Sequence, residues 1–209
     1  MKQAEKNRIS TFQIISAAID EFSKYGCSNA SLNRICRENG ISKGKLYHYF
    51  ESKDDLYYQC INFIFFDFSH MLEELEVDKT KSVFDNLHNY YSAIIDYWVE
   101  RPMACLLIKR SIIIFGNKNL SQMDESQERY ITTAKKKFLE IINSCGGSSV
   151  GDDELFEVVK AVNENLFIRE ISSVAELAIN GDKNEVTAKK GEIMALYDRM
   201  INVLLHGIL

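Results

Sequence analysis

The chain has 209 residues, of which 46% are hydrophobic and 26% are charged, and its formal net charge is −5. This apolar content excludes a disordered chain, and a single proline with ten glycines excludes a turn-rich β-sandwich or a collagen-like repeat. Residues 1–60 hold nine basic and seven acidic side chains, whereas the remainder holds 16 and 23. A slightly basic head on an acidic body favours contact with a polyanion through the head.

The N-terminus and the cysteines together predict a cytoplasmic protein. The N-terminus lacks the apolar core and the cleavage site of a signal peptide. No apolar run reaches the roughly 18 residues of a membrane span, and the richest stretch, 60–68, is interrupted by Asp67. An odd number of cysteines without paired spacing indicates free thiols in a reducing compartment: Cys27, Cys36, Cys60, Cys105 and Cys145.

The first helices of the chain have the spacing of a helix-turn-helix. Apolar residues three and four apart predict a helix over 10–25, which Gly26 ends. Ser31 is a natural N-cap for a short helix that closes at Gly40, and Ser42 is an N-cap for a second short helix over 43–50. Two short helices joined by a four-residue turn with one apolar residue form that motif.

The rest of the sequence predicts a series of longer helices and no convincing strand. Pro102 ends one helix and starts the next, and the glycines at 146–151 mark a loop. The sequence therefore predicts an all-α fold of about nine helices, with a three-helix head over residues 1–53 and a helical body over 54–209. The predicted body helices cover 54–75, 84–98, 103–115, 121–144, 153–180 and 185–206.

Three spaced patterns lie between residues 14 and 56. The first is A-A-x-x-x-F-x-x-x-G over 17–26, the second is S-L-x-x-I over 31–35, and the third is G-I-S-K-G-x-L-Y-H-Y-F-x-S-K over 40–53. Together they resemble the N-terminal DNA-binding segment of the TetR family of transcriptional regulators. The remainder of the chain is similar to that family only in length and helical rhythm.

The resemblance assigns DNA contacts to nine residues: Ser31, Arg34, Lys43, Gly44, Lys45, Tyr47, His48, Tyr49 and Lys53. Tyr49 and Lys53 would hold the DNA backbone, and Ser31 and Arg34 would touch phosphate. Independently of the family, Gly44 lets the basic end of its helix approach a base edge or phosphate closely. Taken alone, Lys43 and Lys45 would be ordinary solvated charges.

Two positions depart from the family pattern. Lys45 stands where a short residue such as threonine is frequent, and a lysine there can reach a guanine edge or make a nonspecific phosphate contact. Cys27 stands where an aromatic residue is usual. The first departure concerns the specificity of DNA reading, and the second concerns the packing of the head.

In the TetR family the body helices enclose a pocket for a small effector, and large side chains supply candidates for its lining here. The predicted ligand-contacting residues are Phe63, Phe66, Tyr91, Trp98, Lys109 and Phe115. The alternative is that the rings fill the core and that Lys109 extends to the surface.

The two last helices are more apolar than an exposed surface allows, which predicts a homodimer. The predicted interface residues are Val159, Leu166, Tyr197, Met200 and Leu204. Two heads about 34–36 Å apart would fit successive major grooves of a palindromic site.

The predicted function is that of a TetR-like regulator, a repressor that binds a double-stranded DNA operator as a homodimer and is released by a small-molecule effector. No cofactor and no membrane contact are expected. An enzyme is disfavoured because no HExxH, CxxC, G-x-S-x-G or phosphate-binding glycine loop is present. Two alternatives stay open: a redox sensor that signals through Cys105 or Cys145, and a DNA-binding scaffold with a closed, fully packed body.

Overall fold

The computed structural model describes residues 3–115, 124–144 and 151–207, and these ranges contain helices and no strand. The prediction of an all-α fold is confirmed. The helices are α1 Gln3–Asn29, α2 Leu32–Glu38, α3 Lys43–Tyr49, α4 Lys53–Glu74, α5 Val83–Glu100, α6 Pro102–Phe115, α7 Asp124–Asn143, α8 Asp152–Leu166, α9 Ser172–Asn180 and α10 Lys183–Gly207. A π-helical turn at Phe167–Ile171 joins α8 to α9, so the described ranges form nine helical rods.

Serine caps begin α2 and α3 at Ser31 and Ser42, as the sequence predicts, and a third serine begins α4. The Ser31 hydroxyl accepts a hydrogen bond from the Arg34 amide at 3.3 Å. The Ser42 hydroxyl accepts one from the Lys45 amide at 3.1 Å. The Ser52 hydroxyl caps α4 in the same way. Each bond satisfies an amide that the first helical turn would leave unpaired.

Helix α1 is longer than the predicted 10–25. Its extra N-terminal turns are held by a hydrogen bond that the Tyr49 hydroxyl donates to Asn7 Oδ1 at 3.1 Å. At Gly26 the backbone leaves helical geometry, with φ 71° and ψ 167°, and then forms one more turn to Asn29. The predicted stop therefore bends the chain at Gly26 instead of ending all helical structure there.

Head and body share one hydrophobic core. It extends from Leu46 of α3 through Leu56 of α4 to Leu87 of α5. Helix α1 packs against α4 and α6, α4 packs against α7, and α6 packs against α9. Because α4 begins at Lys53, the division at residue 53 falls at the start of a helix that joins the two parts.

The C-terminal half differs from the prediction at one element. The uninterrupted helix predicted over 153–180 contains the π-helical turn at Phe167–Ile171. That turn brings Phe167, Ile168 and Ile171 together onto the wall of one cavity. The predicted cap Ser121 and most of the predicted 146–151 loop lie outside the described residues. No helix in the described ranges is both long and apolar enough to cross a membrane.

Candidate DNA-binding face and ligand cavity

The outer face of α3 is exposed while its inner face is anchored. Leu46 is completely buried, whereas the next residue, Tyr47, is 56% exposed. Lys43, Gly44 and His48 are also exposed, and Lys45 is half-buried. The structure therefore presents amines, a phenol and an imidazole on a short helix that cannot easily rotate. These groups can hydrogen-bond to base edges and phosphates.

Tyr49 and Lys53 lie beside this face and tie the head together. Tyr49 is half-buried and donates to Asn7 of α1. The Lys53 ammonium donates to the carbonyl oxygens of Ser28 at 2.9 Å and Ala30 at 3.4 Å. Lys53 thus holds the start of α4 against the connection between α1 and α2. That Tyr49 and Lys53 contact a DNA backbone stays a prediction.

Arg34 and Ser31 both bind a carboxylate that the sequence analysis missed. Arg34 Nε donates to Glu21 at 2.8 and 3.0 Å, and the Ser31 amide donates to Glu21 Oε1 at 2.7 Å. The Arg34 guanidinium also lies 3.9 Å from the centre of the Tyr25 ring. The arrangement braces α2 against α1. The available signal was a glutamate next to Phe22 on the apolar face of the first helix.

Glu21 is ionised in this brace despite its burial. Its side chain is 6% exposed, and burial alone would raise its pKa. The hydrogen bonds from Arg34 and the Ser31 amide together outweigh burial and lower the pKa from its ordinary 4.5. The positive charge of Arg34 is therefore paired with Glu21 inside the head.

The body contains a cavity walled mainly by aromatic and aliphatic side chains. Its volume is about 160 Å³, which is comparable with the roughly 150 Å³ of a cavity that binds benzene. The Tyr130 ring stacks on Phe65 and Phe68, with centroid distances of 5.5 and 5.3 Å. Trp98 lies between Phe68 and Phe167, at 4.9 and 5.1 Å. This arrangement can hold a small apolar molecule.

Of the six predicted ligand-contacting residues, Trp98 lines this cavity. Tyr91 lies behind the wall, where its ring stacks on the cavity-lining Tyr197 at 4.1 Å. Phe63, Phe66 and Lys109 do not line this cavity, and their contact with a ligand stays a prediction. The side chain of Phe115 lies outside the described residues.

These three residues lie in other environments. Phe63 lines a separate groove at the head–body junction and meets Phe12 edge-to-face at 5.7 Å. Phe66 is 48% exposed. The Lys109 ammonium donates to Glu176 at 3.0 Å on the surface. Four aromatic residues within 63–68 put rings on every side of α4, so periodicity could not select the inward-facing ones.

The predicted dimer residues lie mostly inside their own chain. Val159, Tyr197 and Leu204 are at most 4% exposed, and the first two line the cavity. Leu166 and Met200 are half-buried against the same core. The outward-facing apolar residues of these helices are different ones: Val158, Val162, Ile179 and Val203. A side chain already packed in its own core has little surface left for a partner, so the exposed residues are better candidates for an interface, and the interface itself stays a prediction.

Three of the described cysteines, Cys27, Cys60 and Cys105, are not activated thiols. Burial raises the pKa of Cys105 to about 12, and burial together with Asp54 raises that of Cys27 to about 11. Burial also raises the pKa of Cys60. Such thiols are poor nucleophiles at neutral pH. Cys145 lies outside the described residues, which also contain no cluster of side chains suited to a metal ion.

Comparison with known proteins identifies the head. The family model for bacterial regulatory proteins of the tetR family matches residues 14–60. An HTH-type transcriptional repressor of Streptomyces coelicolor is 26% identical over 121 residues, which cover 56% of this chain and 57% of that protein. The match therefore spans little more than half the length of this curated relative.

Solved structures match nearly the whole chain. A TetR-like transcriptional regulator from Rhodococcus sp. RHA1 has a TM-score of 0.63 at 20% identity, covering 97% of this chain and 98% of its own. The regulator FadR of Bacillus subtilis, solved with stearoyl-CoA, has a TM-score of 0.64 at 16% identity, covering 89% and 96%. At these identities the likeness concerns the fold. Residues 14–60 thus form a tetR-family segment, carried on an all-α body with the fold of solved TetR-like regulators.

Proposed function

We propose that this protein is a DNA-binding transcriptional regulator that acts as a dimer on a palindromic operator. The observation that carries the proposal is the exposed, basic and aromatic face of α3, anchored by the buried Leu46 within a tetR-family segment. A short recognition helix contacts few bases, so two copies are needed for a specific site. Repression is supported by the name of the Streptomyces relative.

A small molecule in the cavity would control DNA binding, because two helices connect the cavity to the head. Helix α4 begins at Lys53 in the head and lines the cavity with Phe68. Helix α6 lines it with Ile108 and packs its other side on α1. At that contact the Ser23 hydroxyl lies 3.2 Å from Met103 Sδ. A ligand that favours one tilt of these helices would change the separation of the two heads.

The cavity favours an effector-controlled regulator over a scaffold with a closed body. The raised pKa values of Cys27, Cys60 and Cys105 give no support to redox sensing through these thiols. The tetR-family segment and the relatives indicate regulators and no enzymatic family, and we propose no catalytic activity. A cytoplasmic location is part of the same proposal, because a regulator must reach the chromosome.

The direct test is selection of bound fragments from genomic DNA, followed by titration of the enriched site. Tyr47→Ala should weaken specific binding about 5- to 150-fold, the loss of one base contact. Lys43→Ala should lower the slope of log affinity against log salt by about 1. Lys136→Ala removes an exposed lysine from α7 and serves as the control. Wild-type affinity in folded Tyr47→Ala, across the salt series, would refute the assignment.

A further inference from the structure

The cavity wall contains a polar atom that has no hydrogen-bond partner. Asn163 of α8 lines the cavity, and its Oδ1 atom is buried without a donor among the described residues. An unsatisfied buried acceptor costs about 1–3 kcal/mol. Most of the surrounding wall is aromatic or aliphatic, so this carbonyl oxygen is an unpaired acceptor in a mainly apolar space.

The Tyr91 hydroxyl lies beside the same amide. It is fully buried and also lacks a partner with hydrogen-bond geometry among the described residues. Burial and the neighbouring Tyr197 raise the pKa of Tyr91, and the Asn163 amide opposes that rise. The hydroxyl is therefore protonated at neutral pH, and because Tyr91 lies behind the wall, Asn163 is the member of this pair that lines the cavity.

The cavity provides no buried positive charge among its described lining residues. Lys160 is only partly buried, and its ammonium is paired with Glu157 at 3.0 Å. The only other charged lining residue described is Glu164, an exposed carboxylate that acts with burial to raise the pKa of Tyr130 to about 12. Moving an anion into such a space costs much more than moving a neutral polar group.

We infer that the cavity selects an uncharged, mainly apolar molecule of about the size of one aromatic ring, with a group that donates a hydrogen bond to Asn163 Oδ1. This inference deepens the proposed function and rests on it for the ligand's regulatory role. It also separates this chain from the acyl-CoA held by FadR, since a thioester of that size and charge matches neither the volume nor the lining described here.

Three ring compounds of similar size test the class: phenol, toluene and benzoate. Phenol is neutral and donates one hydrogen bond, toluene is neutral without a donor, and benzoate is an anion at neutral pH. Trp98 is the chain's one tryptophan and lines the cavity, so its fluorescence reports entry of each compound. We expect phenol to bind about three- to tenfold more tightly than toluene, as one net hydrogen bond allows, and benzoate most weakly. Tighter binding of benzoate than phenol, or no response to any of the three, would overturn the inference.

Two variants locate the hydrogen bond. Asn163→Leu should remove the preference for phenol while keeping toluene affinity, because the apolar wall stays in place. Asn165→Leu, an exposed position on the same helix, is the matched control and should behave as wild type. If Asn163→Leu retains the phenol preference, the donor is bound elsewhere and the inference fails.

The toluene affinity of Asn163→Leu shows whether the substitution removed only the hydrogen bond or also closed the cavity, because toluene needs the cavity but not the hydrogen bond. If Asn163→Leu loses toluene as well, Asn163→Ala decides the question, because the shorter side chain removes the amide without adding bulk to the cavity. The phenol preference should then fall in Asn163→Ala, and its full retention would contradict the inference. All of these titrations use free protein, so their failure is separable from a failure to bind DNA.

Discussion

Among single residues, Glu21 has the clearest structural role outside the proposed contact surfaces. Its carboxylate receives hydrogen bonds from the Arg34 guanidinium and from the Ser31 amide, and so joins α1 to the first turn of α2. Residue 34 is thirteen positions from residue 21, and no local pattern pairs them. The brace determines how firmly the helix-turn-helix is held.

Glu21→Gln should lower the melting temperature at neutral pH. Glutamine keeps the size and an acceptor for the Ser31 amide but loses the attraction to Arg34. Because the Arg34 side chain is 29% exposed, solvent screens the pair, and we expect a loss of only about 2–4 °C. Thermal unfolding followed by circular dichroism measures it, and Glu51→Gln, at an exposed head position, is the control.

The pH dependence of this difference has a definite sign. The pKa of Glu21 is lowered in the folded state, so its stabilisation is complete above the ordinary value of 4.5 and disappears as pH falls through the folded value. The gap between wild type and Glu21→Gln should therefore close in acid. A gap that stays constant from neutral to acidic pH would show that the ion pair contributes nothing.

At the scale of helices, two glycines in different backbone conformations should respond oppositely to alanine. Gly26 has φ 71° and ψ 167°, a region almost confined to glycine, so Gly26→Ala should cost about 1–3 kcal/mol. Gly191 lies exposed within α10, where an added Cβ meets nothing within 4 Å. Gly191→Ala should stabilise the protein by about 0.5–1 kcal/mol. Urea unfolding measures both, and a shift of the same sign in the two variants would contradict the described bend at Gly26.

At the scale of the whole molecule, the outward-facing valines test the proposed dimer. Val162 of α8 and Val203 of α10 are 39% and 65% exposed in the single chain. If a second copy covers them, Val162→Asp with Val203→Asp should shift the protein to monomer in sedimentation and reduce operator affinity by more than tenfold, since burying unpaired carboxylates is costly. Ile9→Asp, at an apolar position on α1 that is as exposed as Val162, should leave the dimer intact. A monomeric wild type, or a double variant that stays dimeric, would contradict the proposal.

The sequence by itself determined the features whose physical causes act within a helical turn. Ser31, Ser42 and Pro102 mark helix starts, and Gly26 marks where the regular geometry of α1 is interrupted, although the sequence predicted a stop there. Caps and backbone preferences depend on immediate neighbours. The family patterns of the head likewise lie within one continuous segment, which the family model matches. The all-α class followed from the same local signals.

Only the tertiary structure decided which side of each apolar helix faces the core and which side faces solvent. Phe65 and Phe68 turn towards Tyr130 of α7, while Phe66 of the same run turns outwards. Val159 packs inwards and its neighbour Val158 does not. These choices depend on packing between helices far apart in the chain, and a helix with apolar side chains on every face leaves its orientation to its partners.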